Sequence, residues 1–599
     1  MPFGCEVGED GAVRFRLWAP AADRVDVWLE NRADEILLPM HGMSGGWFEI
    51  TTALAAHGSL YYFIIDGEER VTDPASRFQP RDVHGPSQVI DPGRWQWSDG
   101  DWSGRPWEEA VVYELHTGAF TGGGGFREVA ARLDYLQALG ITAVELMPVS
   151  DFPGERNWGY DGVLPFAPDS RYGTPDALKS LVQTAHSLGL MVLLDVVYNH
   201  FGPEGNYLHR YAPDFFTDRH HTPWGAAINY DGPNSRAVRD FFIHNALYWL
   251  EEFHFDGLRL DAVHAILDDS VPDILEELAD AVHAGPGRRR HVHLILENDN
   301  NDARYLAREE GGAPARYTAQ WNDDVHHALH VLATGETSGY YTDYTDAPAR
   351  HLGRALAEGF AWQGEPSPYR HGKRRGTPSG GLPPAAFVGF LQNHDQVGNR
   401  ALGERIGRLA PAAAVRAVTA VLLLAPAVPL LFMGQEGGTR RPFPYFCDFE
   451  ADLGRQVAAG RRREFSRFPA FADPATRAAI PDPNARETFE SAFLDRETPD
   501  PDWLAFHRTL LGLRREVVVP LLRGMPAAGT YRCLSDCALV VDWAAAGGRL
   551  QLYANLGGAP LPSAPVLPGT PVFRTPPAAA DGRDGTWPAW FAAWALTPC

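Results

Sequence analysis

The chain has 599 residues, 45% of them hydrophobic and 22% charged, a composition that supports several buried cores and excludes a disordered protein. Its formal net charge of −23 comes without any basic stripe able to neutralise phosphates, so nucleic acid is excluded as a partner. Five cysteines, Cys5, Cys447, Cys533, Cys537 and Cys599, are too scattered for a disulfide framework and fit a reducing cytoplasm.

The N-terminal residues have no basic region followed by an apolar core, so no secretory signal is expected. From about Gly11 to Val89, short alternating runs such as Val13 to Trp18 and Val25 to Leu29 are separated by Pro, Gly and Asn turns. This predicts an immunoglobulin-like β-sandwich over residues 1–92. Residues 93–108, rich in Gly, Ser and Trp, read as a linker. From Val111 the rhythm changes, and apolar strands alternate with helical patterns. The strands are expected at Val111 to Leu115, Ile141 to Met147, Leu190 to Val197, Gly257 to Asp261, Val292 to Glu297, Ala319 to Trp321, Ala386 to Gln392 and Pro429 to Met433. One helix should open at Thr174-Pro175, an N-cap followed by proline at the first helical position.

Eight such units predict an α/β protein with a closed (β/α)8 TIM barrel over 109–518, its active site on the loops at the strands' carboxyl ends. A doubly wound sheet would want a glycine fingerprint after its first strand; Gly122 to Gly125 stands there, but the third glycine position falls on Arg127 or Glu128. The apolar run 418–433 contains Pro426 and Pro429 and is too short for a membrane span, so no membrane partner is expected. The stretches 371–384 and 437–483 read as surface loops. From 519 to 599, alternating runs such as Ala538 to Trp543 predict a C-terminal β-sandwich domain, in which Cys533 and Cys537 lack the second pair that a structural zinc would need. A monomer is expected.

The chemistry starts at residues 257–264, GLRLDAVH. On a strand, Leu258 and Leu260 point one way while Arg259 and Asp261 point the other. Burying such a pair is costly unless the two groups bond or face a wet cavity. A purely structural salt bridge would explain the pair taken alone as well as catalysis does. Barrel geometry shifts the balance, because Asp195, Asp261, Glu297 and Asp395 each follow a different strand and should converge on one pit with Asn199, His200, Arg259, His264, Asn393 and His394. Metal-assisted hydrolysis and glycoside transfer both use carboxylate pits. Metal sites recruit several histidines or adjacent carboxylates, whereas an arginine two residues before Asp261 would repel a cation. Sugar chemistry fits better, and no metal ligands are assigned.

The blocks DVVYNH at 195–200, GLRLDAVH at 257–264, Glu297 at its strand end, and Asn393-His394-Asp395 together resemble the four signature blocks of the α-amylase family, glycoside hydrolase family 13. The resemblance implies Asp261 as nucleophile, Glu297 as general acid/base and Asp395 as the residue that holds sugar hydroxyls. It implies that Tyr160, Asp195, His200, Arg259, His264 and His394 line the subsite of the attacked glucose. With the two carboxyls about 5–5.5 Å apart, the reaction would retain configuration through a covalent glycosyl-enzyme.

DPASRFQP at 73–80, HGPS at 84–87, WNDDVHH at 321–327 and Glu450 after FCDF narrow the resemblance to members acting on trehalose-ended glucans. The substrates implied are maltooligosyltrehalose and α-1,4-glucan oligosaccharides. Trp321 and Asp324, with Tyr340, Tyr341 and Tyr344, are the candidates for reading the trehalose side, although helix packing is the alternative role for these tyrosines and for His326 and His327. A glycogen-branching transferase of the same family remains the other reading, and a catalytically dead glycan-binding barrel is a third. In many family members the asparagine matching Asn199 helps hold calcium. No partner ligands accompany it in the sequence, so no cofactor is expected and calcium stays open.

Overall fold

Eight apolar segments carry charged residues only on their inward face or at their ends, and they pair in parallel in chain order to close a barrel. The computed structural model describes all residues except 31–34, 223–224, 467, 524, 526–527, 546, 569–570, 577–584 and 598–599, so Cys599 lies outside the described residues. The barrel strands are β1 (Val112–Leu115), β2 (Ala143–Leu146), β3 (Met191–Val196), β4 (Gly257–Leu260), β5 (His293–Leu296), β6 (Ala319–Trp321), β7 (Phe387–Phe390) and β8 (Val428–Phe432). Several end one residue before the sequence suggests. At β4 the cause is local: Ala262 takes a positive φ of 41°, turning the chain just after Asp261 so that its carboxylate stands at the barrel mouth.

The surrounding helices follow from their sequence signals. In α1 (Pro175–Ser187), the Thr174 side chain caps Ala177 N at 3.3 Å, and Leu178, Leu181, Val182 and Ala185 bury one face at i, i+3, i+4 and i+7. The stretch 437–483 departs from the expected loop, since α2 (Ala451–Phe465) crosses it. Its buried positions, Gly454, Ala458 and Phe465, are too sparse and small to stand out among its charges. The final barrel helix, α3 (Pro501–Leu513), is capped by Asp500, which accepts from Asp502 N and Trp503 N.

Two antiparallel sheets precede the barrel, one of four strands (Gly4–Val7, Val13–Trp18, Trp47–Thr52 and His41–Met43) and one of five built on Val25–Glu30 and Leu60–Ile65. Phe15 and Tyr61 meet between them with ring centroids 4.8 Å apart. Phe3 packs edge-on against Phe241 of the barrel's helical layer at 5.3 Å. After the barrel, a five-stranded sheet includes Ala538–Ala545, Gly548–Asn555 and Phe591–Thr597, with Trp543 and Trp594 stacked 5.7 Å apart. Trp594 Nε1 donates to Ala420 O at 3.0 Å, tying this sheet to the barrel helix Ala412–Leu424. Among the described residues no helix is long and apolar enough to cross a membrane.

Candidate active site

Asp195 of β3 and Arg259 of β4 are register partners on the inner wall. Arg259 is fully buried, and its Nη1 donates to Asp195 Oδ1 at 2.9 Å and Oδ2 at 2.8 Å, and to Asp261 Oδ1 at 2.7 Å. Asn199 Nδ2 donates to the other Asp261 oxygen at 2.8 Å and to the Asp261 carbonyl at 2.9 Å. Burial alone would push the Asp261 carboxyl up, but Arg259, the Asn199 bond and His200 outweigh it and hold Asp261 below the usual aspartate value. Asp195 follows the opposite balance: burial pushes it up to about 7, against the pull of Arg259.

Glu297 stands one residue past β5. Its Oε2 accepts from Ala262 N at 2.6 Å and lies 3.8 Å from Arg259 Nη2, so Arg259 bonds one mouth carboxyl and sits within ion-pair range of the other. Burial pushes Glu297 well above the ordinary glutamate value; Arg259 opposes this, while Asp261, Asp323 and Asp395 reinforce it. Two carboxyls around one guanidinium are thus pushed in opposite directions, one held as the anion and one as the acid.

Asp395 is the most open of the three, its side chain 40% exposed, 3.5 Å from His394 Nε2 and accepting from Asn399 Nδ2 at 3.1 Å. The His394 ring lies against Tyr160, 5.0 Å between centroids at 23°, and Tyr160 Oη donates to Asp195 Oδ2 at 2.6 Å. Glu114 of β1 accepts from His394 Nδ1 and, at 3.0 Å, from its backbone N. Burial disfavours the imidazolium, but Asp395 and Glu114 prevail and raise His394 to about 9. His200 sets one ring nitrogen 3.0 Å from the Tyr160 carbonyl and the other against the Asn199 amide oxygen. His264 Nδ1 accepts from Asp299 N at 3.3 Å.

Tyr160, Asp195, His200, Arg259, Asp261, His264, Glu297, His394 and Asp395 therefore gather at one barrel mouth. Trp321 and Asp324 take other positions. The Arg259 guanidinium sits 4.1 Å from the centroid of the Trp321 ring, which is 2% exposed and forms a floor beneath the arginine rather than a platform for sugar. Asp324 is wholly buried: Oδ2 accepts from Ala361 N at 2.7 Å, Asn301 Nδ2 at 3.0 Å and Trp362 N at 3.1 Å, while Oδ1 takes the Tyr344 hydroxyl and lies 3.3 Å from Arg375 Nη1. Arg375, expected on a surface loop, is 4% exposed because this cluster needs its charge. Tyr341, Tyr344, His326 and His327 are buried too, packed on and around the helix Asp323–Thr334, while Tyr340 stays half-buried.

Two carboxyls escaped notice in the sequence, and a third was named there only as part of its loop. Glu114 and Glu145 are register partners on β1 and β2, and both interrupt apolar strands just as Arg259 does; that interruption was the available signal. Glu145, its Oε1 unpartnered, is pushed well above the ordinary value by burial and by Glu114 and Asp195. The third is Asp323, half-buried beside Asp324, which accepts from Gln396 Nε2 at 3.2 Å. Burial and Asp299 raise it to about 7. The Asn199 amide is spent on Asp261 and His200 and is not turned toward a cation. Elsewhere among the described residues, His220, Asp231 and Asp269 bring ligand atoms together, but Arg219 Nη1 already lies 3.1 Å from Asp231. No metal is assigned to either place.

A family profile for the α-amylase catalytic domain matches residues 89–246, and one for carbohydrate-binding module 48, the isoamylase N-terminal domain, matches residues 2–80. The chain is 41% identical over 517 residues to the malto-oligosyltrehalose trehalohydrolase of Saccharolobus solfataricus, covering 86% of this chain and 87% of that one. It is 41% identical over 549 residues to the enzyme of the same name from Deinococcus radiodurans, covering 91% and 87%. A crystal structure of an α-amylase-like protein from Salmonella typhimurium superposes with a TM-score of 0.94 at 45% identity, covering 99% of each chain. A 1,4-α-glucan branching enzyme from Rhodospirillum rubrum is 37% identical but over only 42% of this chain. With whole-chain relatives of this kind and the four signature blocks at one barrel mouth, the chain belongs to the malto-oligosyltrehalose trehalohydrolase family, within the α-amylase family.

Proposed function

We propose that this protein is a retaining glycoside hydrolase that cleaves the α-1,4-glucosidic bond next to the terminal trehalose of maltooligosyltrehalose and releases free trehalose. The observation that carries this reading is that Asp261 and Glu297 share Arg259 at one barrel mouth, in a chain similar to trehalohydrolases over most of its length. The Asp261 carboxylate attacks the anomeric carbon of the glucose joined to trehalose, and the bond to the leaving oxygen breaks. Glu297 gives that oxygen its proton, so trehalose departs neutral. The resulting Glu297 carboxylate then takes a proton from water, whose oxygen displaces Asp261 and frees the shortened maltooligosaccharide with its configuration retained. Asp395, open to the cavity, binds sugar hydroxyls, and the Tyr160 and His394 rings form the wall beside the attacked sugar. A cytoplasmic location fits the four described cysteines, all of which are free.

Incubation with maltotetraosyl trehalose tests the reading. Free trehalose and maltotetraose in equal amounts are expected. New α-1,6 branches would assign a transferase instead, and no turnover of any α-glucan would leave a binding barrel.

A further inference from the structure

A second cavity, mixed in its lining, lies outside the barrel mouth, between the segments that follow β7 and β8. It encloses about 60 Å³, several times the roughly 10–15 Å³ that one water needs, and Gln392, Arg405, Gln435, Arg440, Trp503 and His507 contribute to its lining. Three of these side chains are more than nine-tenths buried yet leave polar atoms without partners: Nη2 of Arg405, both amide atoms of Gln435, and Nε2 of His507. Unsatisfied buried groups of this sort cost about 1–3 kcal/mol each, so their convergence on one cavity calls for an occupant.

The donor set defines its chemistry. Arg405 spends Nε on Arg441 O and Nη1 on Met433 O, and among the described residues no carboxylate pairs with it. Glu436, beside Gln435 in the chain, turns instead to the Tyr113 and Tyr135 hydroxyls. The Arg405 guanidinium lies over the Phe432 ring at 4.6 Å and feels Glu436 and Glu497 only at a distance, so a direct anionic partner would stabilise it. His507 asks for the opposite: its Nδ1–H donates to Trp503 O at 2.9 Å, burial lowers the imidazole to about 4, and the neutral ring leaves Nε2 as a bare acceptor. Water can accept and donate but brings no charge to Arg405, whereas a ligand that accepts, donates and is itself anionic satisfies both sides. Barrel enzymes often bind phosphate in the loops after strands seven and eight, the same quarter of the barrel.

We propose that this cavity binds a small oxyanion carrying its own hydroxyl, hydrogen phosphate in the first place, whose oxygens accept from Arg405 and the Gln435 amide and whose hydroxyl donates to His507 Nε2. Chloride and sulfate meet the arginine but have no proton for the histidine. Exposed Arg440, without an ion pair among the described residues, stands at the rim where the anion enters. Gln392 bonds Ile406 N at 2.7 Å and directly precedes Asn393, His394 and Asp395, so the occupant braces the segment bearing Asp395.

The full-length protein, dialysed free of phosphate, is titrated with sodium phosphate, sulfate and chloride at matched ionic strength, followed by calorimetry and by Tm. Saturable one-site binding of phosphate with a rise in Tm is expected, with sulfate and chloride at least about tenfold weaker. Gln435→Leu should weaken phosphate about tenfold or more while keeping wild-type kcat in phosphate-free buffer. Should that variant fail to fold, Gln435→Glu keeps the shape, and its added negative charge should abolish binding. Equal affinity for the three anions, unchanged phosphate binding in the variant, or no saturable binding, the result for a cavity holding only water, would overturn the proposal.

Discussion

Asp195 and Arg259 face each other in register on adjacent barrel strands, and the same Arg259 nitrogen that holds both oxygens of Asp195 also reaches Asp261 at 2.7 Å. One buried cation thereby sets the charge of the wall and of the mouth together.

Arg259→Lys keeps the charge but loses the planar head that lies over Trp321, bonds two carboxyls and sits within ion-pair range of a third. We expect kcat/KM to fall by roughly 10²–10³, about 3–4 kcal/mol of transition-state stabilisation. The acid limb of its pH profile should also move upward, because the shorter lysine keeps a charge nearby but loses the direct bond that helps hold Asp261 ionised. A pH series of kcat/KM checks both; near-normal turnover would make the arginine structural only.

Asp324→Ala should act on stability and not on specificity. Removing a carboxylate with no exposure strands Ala361 N, Trp362 N and Asn301 Nδ2 and leaves Arg375 with Asp299 as its remaining carboxylate, a loss on the order of 3–5 kcal/mol. Denaturant unfolding should show that loss, while the ratio of kcat/KM for maltooligosyltrehalose to that for plain maltooligosaccharides stays unchanged. A shifted ratio at unchanged stability would return Asp324 to the substrate.

The contrast between Asp324 and Asp261 shows how far the sequence could be read. The barrel was legible because parallel strands buried on both faces are apolar runs broken by no more than a single charged residue, and their ends fell within a residue or two of the expected positions. The gathering of Arg259, Asp261, Glu297 and Asp395 at the barrel mouth was legible because charge at the end of such a run has few structural uses. The burial of Trp321 and Asp324 was not legible, because a strand end fixes which loop faces the mouth but not which of two adjacent side chains does. Half-buried Asp323 and wholly buried Asp324 differ by one step of the helix they open. Glu114 went unread for another reason: its partner, His394, lies 280 residues away.

That pair predicts a pH-dependent contribution to stability. Folding raises His394 to about 9 from the ordinary value of 6.5, so the folded state binds the proton more tightly. The stabilisation, about 3 kcal/mol at most, is complete below 6.5 and lost as pH rises through about 9. Glu114→Gln removes one of its two anionic causes. The stability gap between wild type and variant, from urea unfolding, should be widest at the acid end of that window and narrow toward its alkaline end; a constant gap would show that Glu114 does not hold His394 charged.

The division of labour between Asp261 and Glu297 is the centre of the account, and an α-maltooligosyl fluoride tests it most directly, since fluoride leaves without a proton. Both Asp261→Asn and Glu297→Gln should lose several orders of magnitude in kcat on maltooligosyltrehalose. On the fluoride, glycosyl-enzyme formation by Glu297→Gln should recover by roughly 10²-fold or more relative to its loss on the natural substrate, while Asp261→Asn should stay inactive. Equal recovery of the two variants, or recovery of Asp261→Asn alone, would contradict the assignment of Asp261 as nucleophile and Glu297 as acid.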